Sequence, residues 1–253
     1  MILIKTEEEI KIMAEAGKRL ALVVRALKAM VKEGVTTYEI DREAKRLIEE
    51  SGCIPAFLNY RPSGADRPYP ATICTSINSG VVHGLPSGYA LKSGDLLKLD
   101  LGLIYEKFYS DMAITVPIGK TSKEDQELIS VTRGALEKGI AAAQPGNTLG
   151  DIGYAIGSFV KKNGFHVVDG LTGHGIGRKL HEDPYVFNEG LPGEWDVLKP
   201  GMVLALEPMV CAGKPRVKQL EDDSFVTADG SMAAHFEHTI AITEKGHRIL
   251  TQA

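Results

Sequence analysis

The feature that most restricts how this chain can fold is an internal repeat of helix pairs. Thr6 and Glu9 stand at capping-box spacing, and Met13, Ala16, Leu20, Val24, Leu27 and Val31 recur behind them at helical intervals. Gly34 stops this long amphipathic helix; Thr36 and Glu39 cap a second through Ile40, Ala44, Leu47 and Ile48, which ends at Ser51-Gly52. The order then returns. Ser122 and Asp125 open a helix carrying Leu128, Val131, Ala135 and Ile140, Pro145 and Gly146 stop it, and Thr148 with Asp151 opens another through Ile152, Ile156 and Phe159 to Gly164. Gly34, Thr36 and Gly52 recur as Gly146, Thr148 and Gly164 with one constant offset of 112. Such self-similarity implies two related halves, approximately 1–120 and 121–253.

Strand-like sequence follows each helix pair. In the first half it comprises ATICTSI, LLKLDLGLIY and FYSDMAITVPI, the last two joined by a tight hairpin at Glu106-Lys107; in the second, FHVVDGLTGHGIG, MVLALEPMV, SFVTADG and HFEHTIAIT. Helices that come in pairs, rather than singly between strands, indicate an α+β fold with an antiparallel sheet covered by helices on one face. No Pro-, Gly- or Ser-rich linker lies near the midpoint, so residues 1–253 are expected to form one domain with a site between its halves.

Two stretches sharpen that expectation. LKSGDLLKLD (91–100) and LKPGMVLALE (198–207) agree at five of ten places, and each closes an apolar run with a carboxylate, Asp100 and Glu207. Across the Glu106-Lys107 turn, Asp111 comes close to being the cross-strand neighbour of Asp100, and Glu237 lies inside HFEHTIAI. Burying four approaching carboxylates is unfavourable unless cations compensate them. Lys98 or Lys199 would be the ordinary partners; a metal is the other solution. Histidines favour the metal: His174 and His181 stand seven apart in the Gly-rich GHGIGRKLHEDP, VVHGLP supplies His83, and HFEH supplies His235 and His238. Four negative charges are neutralised by two divalent ions, and a pair roughly 3.5 to 4 Å apart with bridging carboxylates makes a hydrolytic centre. Oxygen ligands with one imidazole do not choose among Co, Mn, Fe, Zn and Ni.

Other classes are excluded or disfavoured. Twenty-nine basic and thirty-three acidic residues give a net charge of -4 with no polybasic block, so no electrostatic hold on nucleic acid is expected. Cys53, Cys74 and Cys211 form no CxxC and are expected to be reduced thiols. The N-terminus is too acidic for a signal peptide and no run of eighteen apolar residues occurs, which points to a soluble cytoplasmic protein without membrane contact. Gly173, Gly175 and Gly177 lack the lysine of a phosphate loop and are expected to let backbone approach the metal centre. HEDP at His181 to Pro184 can be read as a simple turn, but its distance from His174 favours a place in the site.

KLDLGLIYEKFYSDMAI, TGHGIGRKLHEDP, KPGMVLALEPM and HFEHTIAIT resemble the type I methionine aminopeptidases of pita-bread fold, and CTSIN with VVHGLP extends the resemblance over essentially the whole chain. It implies a cytosolic monomer that removes the initiator methionine from deformylated nascent chains near the ribosome exit, with two divalent ions. It further implies Asp100 on one ion, Asp111 and Glu237 bridging, His174 and Glu207 on the other, Glu207 also as base, His181 at the oxyanion and His83 beside the scissile amide. Tyr69 and Cys74 match pocket positions of that family. Leu180 stands where Phe is usual, and the usual Trp before VTxDG is absent, with Phe225 the nearest aromatic; the sole Trp, Trp195, is expected on a surface loop. NYRPSGADRPYPATIC is longer and more polar than usual, so a wider or differently shaped first pocket is expected. Another aminopeptidase or an Xaa-Pro peptidase of the same fold with different first-residue specificity, and a non-catalytic binding module, are the competing readings.

Overall fold

The structure, a computed structural model, describes residues 1–61 and 67–253. Residues 62–66, in the middle of the long polar approach to Cys74, lie outside the described residues. Among the described residues the helices are Glu7–Met30 (α1), Thr37–Glu50 (α2), Lys123–Ala142 (α3) and Leu149–Lys162 (α4). All four start at the expected capping boxes, with Thr6, Thr36, Ser122 and Thr148 accepting from the backbones of Glu9, Glu39, Asp125 and Asp151 while those carboxylates accept in return. Each box satisfies two helix-end N–H groups and contributes about 1 kcal/mol. Val31 is the C-cap of α1, with extended backbone, although its side chain still packs on the core.

The strands are Ile54–Pro55 (β1), Cys74–Ile77 (β2), Gly80–Val82 (β3), Leu96–Tyr105 (β4), Phe108–Pro117 (β5), His166–Val167 (β6), Gly173–Gly175 (β7), Glu182–Val186 (β8), Val203–Leu206 (β9), Met209–Cys211 (β10), Val217–Gln219 (β11), Phe225–Thr227 (β12), Ala233–His235 (β13), Glu237–Thr243 (β14) and Gly246–Ile249 (β15). A nine-stranded sheet runs β1-β4-β5-β14-β9-β7-β8, with β2 beside β4 and β15 beside β14; two three-stranded sheets, β13-β10-β6 and β11-β12-β3, flank it. Every recorded pairing is antiparallel.

The β4–β5 hairpin turns on Glu106 and Lys107, whose φ values of 45° and 70° are those of a type I′ turn. Neither residue favours that region, so the ten paired positions on each side impose it. Alternation along the strands then sorts the faces. Leu97, Leu99, Leu101 and Leu103 of β4 and Met112 and Val116 of β5 pack with α1 and α2. Leu204, Leu206, Ile240 and Ile242 of β9 and β14 pack with α3 and α4. The opposite face therefore receives Asp100, Gly102, Asp111, Ala113, Ala205, Glu237 and Thr239.

Three local expectations are corrected. Asp100 does not close its strand but sits mid-way along β4, because Leu101 and Leu103 continue the helix-facing stripe beyond it. MVLALEPMV and HFEHTIAIT are each two strands: Glu207-Pro208 separates β9 from β10, and Phe236 separates β13 from β14, as the chain passes between the large sheet and a small one. Pro208 has no N–H to give a ladder, which suits that break. HEDP is not a simple turn, since Glu182 already pairs with Gly175; Pro184 is tolerated because β8 is an edge strand.

The alternating glycines serve strand packing. A Cβ on Gly173 would lie 2.4 Å from the Ala205 carbonyl oxygen and one on Gly175 2.1 Å from that of Asp183, so these glycines admit neighbouring backbone rather than a ligand. In α1, a Cβ on Gly17 would lie 2.3 Å from the Leu250 carbonyl oxygen, with backbone on both sides of the contact. Gly17→Ala gains up to about 1 kcal/mol in helix propensity but overpacks by about 1–3 kcal/mol. We expect its melting temperature to fall by several degrees in calorimetry; an unchanged or higher value would show that the chain following β15, at Leu250, yields.

Candidate metal centre

The five expected ligands occupy two neighbouring rows on the face away from the helix pairs. In the first row Cys74 stands opposite Asp100, Asp100 opposite Ala113, and Ala113 opposite Glu237, so β2, β4, β5 and β14 meet in one line. The second begins with Gly102 opposite Asp111. Thr239 then bonds the Asp111 backbone through its hydroxyl and stands opposite Ala205, which stands opposite His174. Glu207 continues β9 past Leu206 and comes alongside Glu237, which it repels. Ala113 thus separates Asp100 from Glu237, and Thr239 and Ala205 separate Asp111 from His174, so small side chains leave space between the large ligating ones.

Donor atoms of Asp111, His174 and Glu237 lie within 4.8 Å of one another. His174 Nε2 lies 3.5 Å from Glu207 Oε1, and Asp100, cross-strand from Cys74, is repelled by Asp111. Asp100, Asp111 and Glu237 are buried, and Glu207 is the least buried of the four acids. Burial pushes Asp111 up to about 7. Burial and then mutual repulsion push Asp100, Glu207 and Glu237 well above the ordinary carboxylate range. Among the described residues no Lys or Arg forms an ion pair with any of them, and Lys98 donates to three backbone carbonyls instead. Among the described residues Glu237 Oε1 has no hydrogen-bond partner. Buried acids with an orphaned oxygen and no protein cation fit divalent metal.

The imidazoles are arranged to match. His174 Nδ1 lies 2.9 Å from the Gly175 carbonyl, which accepts its proton and leaves the Nε2 lone pair facing the acids. Burial lowers His174 to about 4, so it is neutral near pH 7 and its approach to Glu207 is not a salt bridge. His181 crosses the His174 ring at 85° with centroids 4.4 Å apart, and its Nδ1 lies 2.8 Å from the Tyr60 hydroxyl. Desolvation, then His174 and His83, lower its pKa, although one side of the residue is open to solvent. His83 is exposed, with φ of 60°, and meets the Phe225 ring at 5.8 Å.

Two participants carry no role in the sequence reading. His235, 1 % exposed, lies 3.5 Å from Glu207 Oε2, and neither ring nitrogen has a hydrogen-bond partner among the described residues. HFEH held the signal, but only the fold separates His235 from His238, which sits on the helix face and bonds Thr251 Oγ1 at 2.8 Å. Tyr60 has no comparable signal in NYRP. Tyr69, Cys74 and Leu180 share one apolar cluster with Phe57 and Tyr60, whereas Phe225 belongs to another with Val82 and Met209. Trp195 lies in a surface loop, its ring tilted at 37° to that of Phe187 with centroids 4.9 Å apart. All three cysteines are free. No helix of the described residues is long and apolar enough to cross a membrane.

Residues 11–244 match the family described as metallopeptidase family M24. The chain is 45% identical to methionine aminopeptidase 1 of Bacillus subtilis over 253 residues, 100% of both proteins. A crystal structure of methionine aminopeptidase from Thermotoga maritima superposes with a TM-score of 0.95 at 42% identity, covering 100% of both chains. Prolidase from Pyrococcus furiosus is more distant, with a TM-score of 0.78 and 25% identity over 99% of this chain and 65% of its own. Full-length likeness at this level, with an α+β sheet of pita-bread architecture and a buried Asp, His and Glu cluster, places the chain among the methionine aminopeptidases of metallopeptidase family M24.

Proposed function

We propose that this protein hydrolyses the first peptide bond of polypeptides that begin with a free methionine, using two divalent ions held by Asp100, Asp111, His174, Glu207 and Glu237. The observation that carries the reading is a group of four mutually repelling carboxylates, three of them buried and none paired with a described Lys or Arg, with Asp111, Glu207 and Glu237 beside the neutral imidazole of His174. Two divalent ions balance four negative charges; Co, Mn, Fe, Zn and Ni all suit the donor set. Bound there, they supply Lewis acidity toward a peptide carbonyl and make water acidic enough to ionise near neutral pH.

The chain's own groups do the rest. Glu207, the most accessible of the four acids, takes the proton of the attacking water and returns it to the leaving amine. His181 donates to the developing oxyanion, an interaction stronger in the transition state than in the ground state. Tyr60 sets its tautomer: a phenol that donates to Nδ1 leaves the proton on Nε2. His83, at the open side of the site, contacts the scissile amide. Tyr69, Cys74 and Leu180, with Phe57 behind them, form the apolar wall for the first side chain, and Phe225 reaches it from the His83 side. We further propose residues 1–253 as one catalytic unit of two related halves, acting as a cytoplasmic monomer on nascent chains at the ribosome.

Titrating metal-stripped protein with each divalent ion against a Met-Ala-Ser peptide tests the reading; restored cleavage after methionine is expected. Cleavage of Xaa-Pro dipeptides in preference would move the chain to the second reading. Peptides beginning with Leu or norleucine test the first pocket, where Leu180 is expected to admit norleucine. Separately, Tyr60→Phe is expected to lower kcat roughly tenfold, about 1.4 kcal/mol, with metal content unchanged. Wild-type turnover in that variant would remove Tyr60 from the mechanism.

A further inference from the structure

Lys98 lies on β4 two residues before Asp100, on the same face, and is 1 % exposed. Its ammonium donates to the carbonyls of Asn78 at 2.7 Å, Leu96 at 3.3 Å and Ala233 at 3.1 Å. Three acceptors use all three N–H groups. They belong to three places: the turn after β2, β4 itself, and the first residue of β13. Asn78 is itself fixed, accepting from Leu96 N–H at 2.9 Å and donating to Asp95 at 2.9 Å.

The cross-strand neighbour of Lys98 on β5 is Thr115. Its hydroxyl donates to the His235 carbonyl at 2.8 Å and accepts from the His235 N–H at 2.9 Å. Lys98 and Thr115 therefore grip the two ends of β13, Ala233 and His235, from one hairpin. The far end of β13 opens onto the acid cluster: the His235 ring faces Glu207, and Phe236 leads directly to Glu237.

Removing an ammonium from water costs several kcal/mol, and an apolar side chain of similar length would fill the same space without that cost. We propose that Lys98 is a positioning residue, an internal cation that with Thr115 fastens β13 to the β4–β5 hairpin and so sets His235 and Glu237 against Asp100 and Asp111. It touches neither substrate nor reacting atoms. The inference rests on reading the acid cluster as the metal centre.

The test is Mn²⁺ titration of metal-stripped wild type, Lys98→Ala, Lys98→Met and Thr115→Val by calorimetry, with circular dichroism as a check on folding. Lys98→Ala is expected to bind Mn²⁺ at least tenfold more weakly. Ammonium, methylammonium or K⁺ should restore the affinity by entering the three-carbonyl cage, since carbonyl oxygens suit such cations. Tetramethylammonium, too large, should not. Lys98→Met, which fills the space without charge, should show the loss but no rescue. Thr115→Val, least disruptive to folding, should show a smaller loss in the same direction and decides the matter if both lysine variants unfold. Wild-type affinity in Lys98→Met, or a loss in Lys98→Ala that no cation repairs, overturns the proposal. If wild type itself binds no Mn²⁺, the functional reading fails instead, and amide exchange at 233–237 decides the clamp: faster exchange in the variants supports it, unchanged exchange overturns it.

Discussion

Replacing His174 with alanine is expected to remove metal loading and turnover together, whereas replacing His181 leaves loading intact and lowers kcat. The two rings lie 4.4 Å apart and both favour the neutral form, so proximity and charge do not distinguish them. Their hydrogen bonds do. His174 spends Nδ1 on the Gly175 carbonyl and turns Nε2 toward Glu207, inside 4.8 Å of Asp111 and Glu237. His181 turns Nδ1 to Tyr60 and is open to solvent. His174→Ala deletes the single nitrogen among the proposed ligands and leaves four crowded acids. We expect at least a hundredfold weaker metal binding and, at ordinary metal concentrations, a loss of about 10³ or more in kcat/KM. His181→Ala deletes one oxyanion donor, for which about 10²–10³ in kcat is the usual loss. Elemental analysis beside steady-state kinetics separates the cases, and His181→Gln, which keeps a donor, should recover part of the rate. Full metal content in an inactive His174→Ala, or a His181→Ala that cannot be loaded, would reverse the assignments.

How much of this could be read beforehand depended on whether the signal was local. Capping boxes are local, so all four helix starts appear at Thr6, Thr36, Ser122 and Thr148. The hairpin at Glu106-Lys107 was legible from strand length although its residues are poor formers of a type I′ turn. Asp100 and Asp111 were brought close by counting across that turn, and the observed register makes them diagonal neighbours, since Asp100 faces Ala113 and Asp111 faces Gly102. Strand breaks at Glu207 and Phe236 were not legible, because each apolar run continues through the change of sheet. Nor was Lys98, a charge inside a greasy strand, whose acceptors at Asn78 and Ala233 are distant along the chain. His235 was visible as a residue type but not as the neighbour of Glu207, which requires the register of β10 with β13.

The same crowding makes the metal-free protein sensitive to pH in a direction opposite to that of ordinary ion-paired acids. Asp111 has a folded pKa of about 7 against 3.8 for the free side chain, and Asp100, Glu207 and Glu237 are raised in the same sense. The folded state thus holds protons that the unfolded chain releases, so this contribution is complete at low pH and disappears as pH rises through the folded values. His174 and His235 act oppositely: burial lowers them to about 4 and about 3, and their contribution is lost as pH falls below 6.5. Above 6.5 the histidines no longer matter and the acids dominate. Burial also lowers Lys98 to about 7, which works against the acids, but three carbonyls favour its ammonium and four carboxyls outnumber it. Each carboxyl that the fold keeps protonated while the unfolded chain has ionised it lowers stability by about 1.4 kcal/mol per pH unit, so even one such group net of Lys98 amounts to about 3 kcal/mol over two pH units, and 1 kcal/mol is about 2–4 °C in a protein of this size. Between pH 6.5 and about 8.5 the metal-stripped protein is therefore expected to lose roughly 5–10 °C in melting temperature. Saturating Mn²⁺ should abolish that slope, because bound cations compensate the ionised acids and displace their protons, and the shift it produces should be larger at the higher pH. Calorimetric scans at both pH values, with chelator and with Mn²⁺, measure all four quantities. A metal-stripped melting temperature that is flat or rises over this interval would mean that the four acids are not crowded and desolvated together, and the case for a metal centre built from them would lose its electrostatic basis.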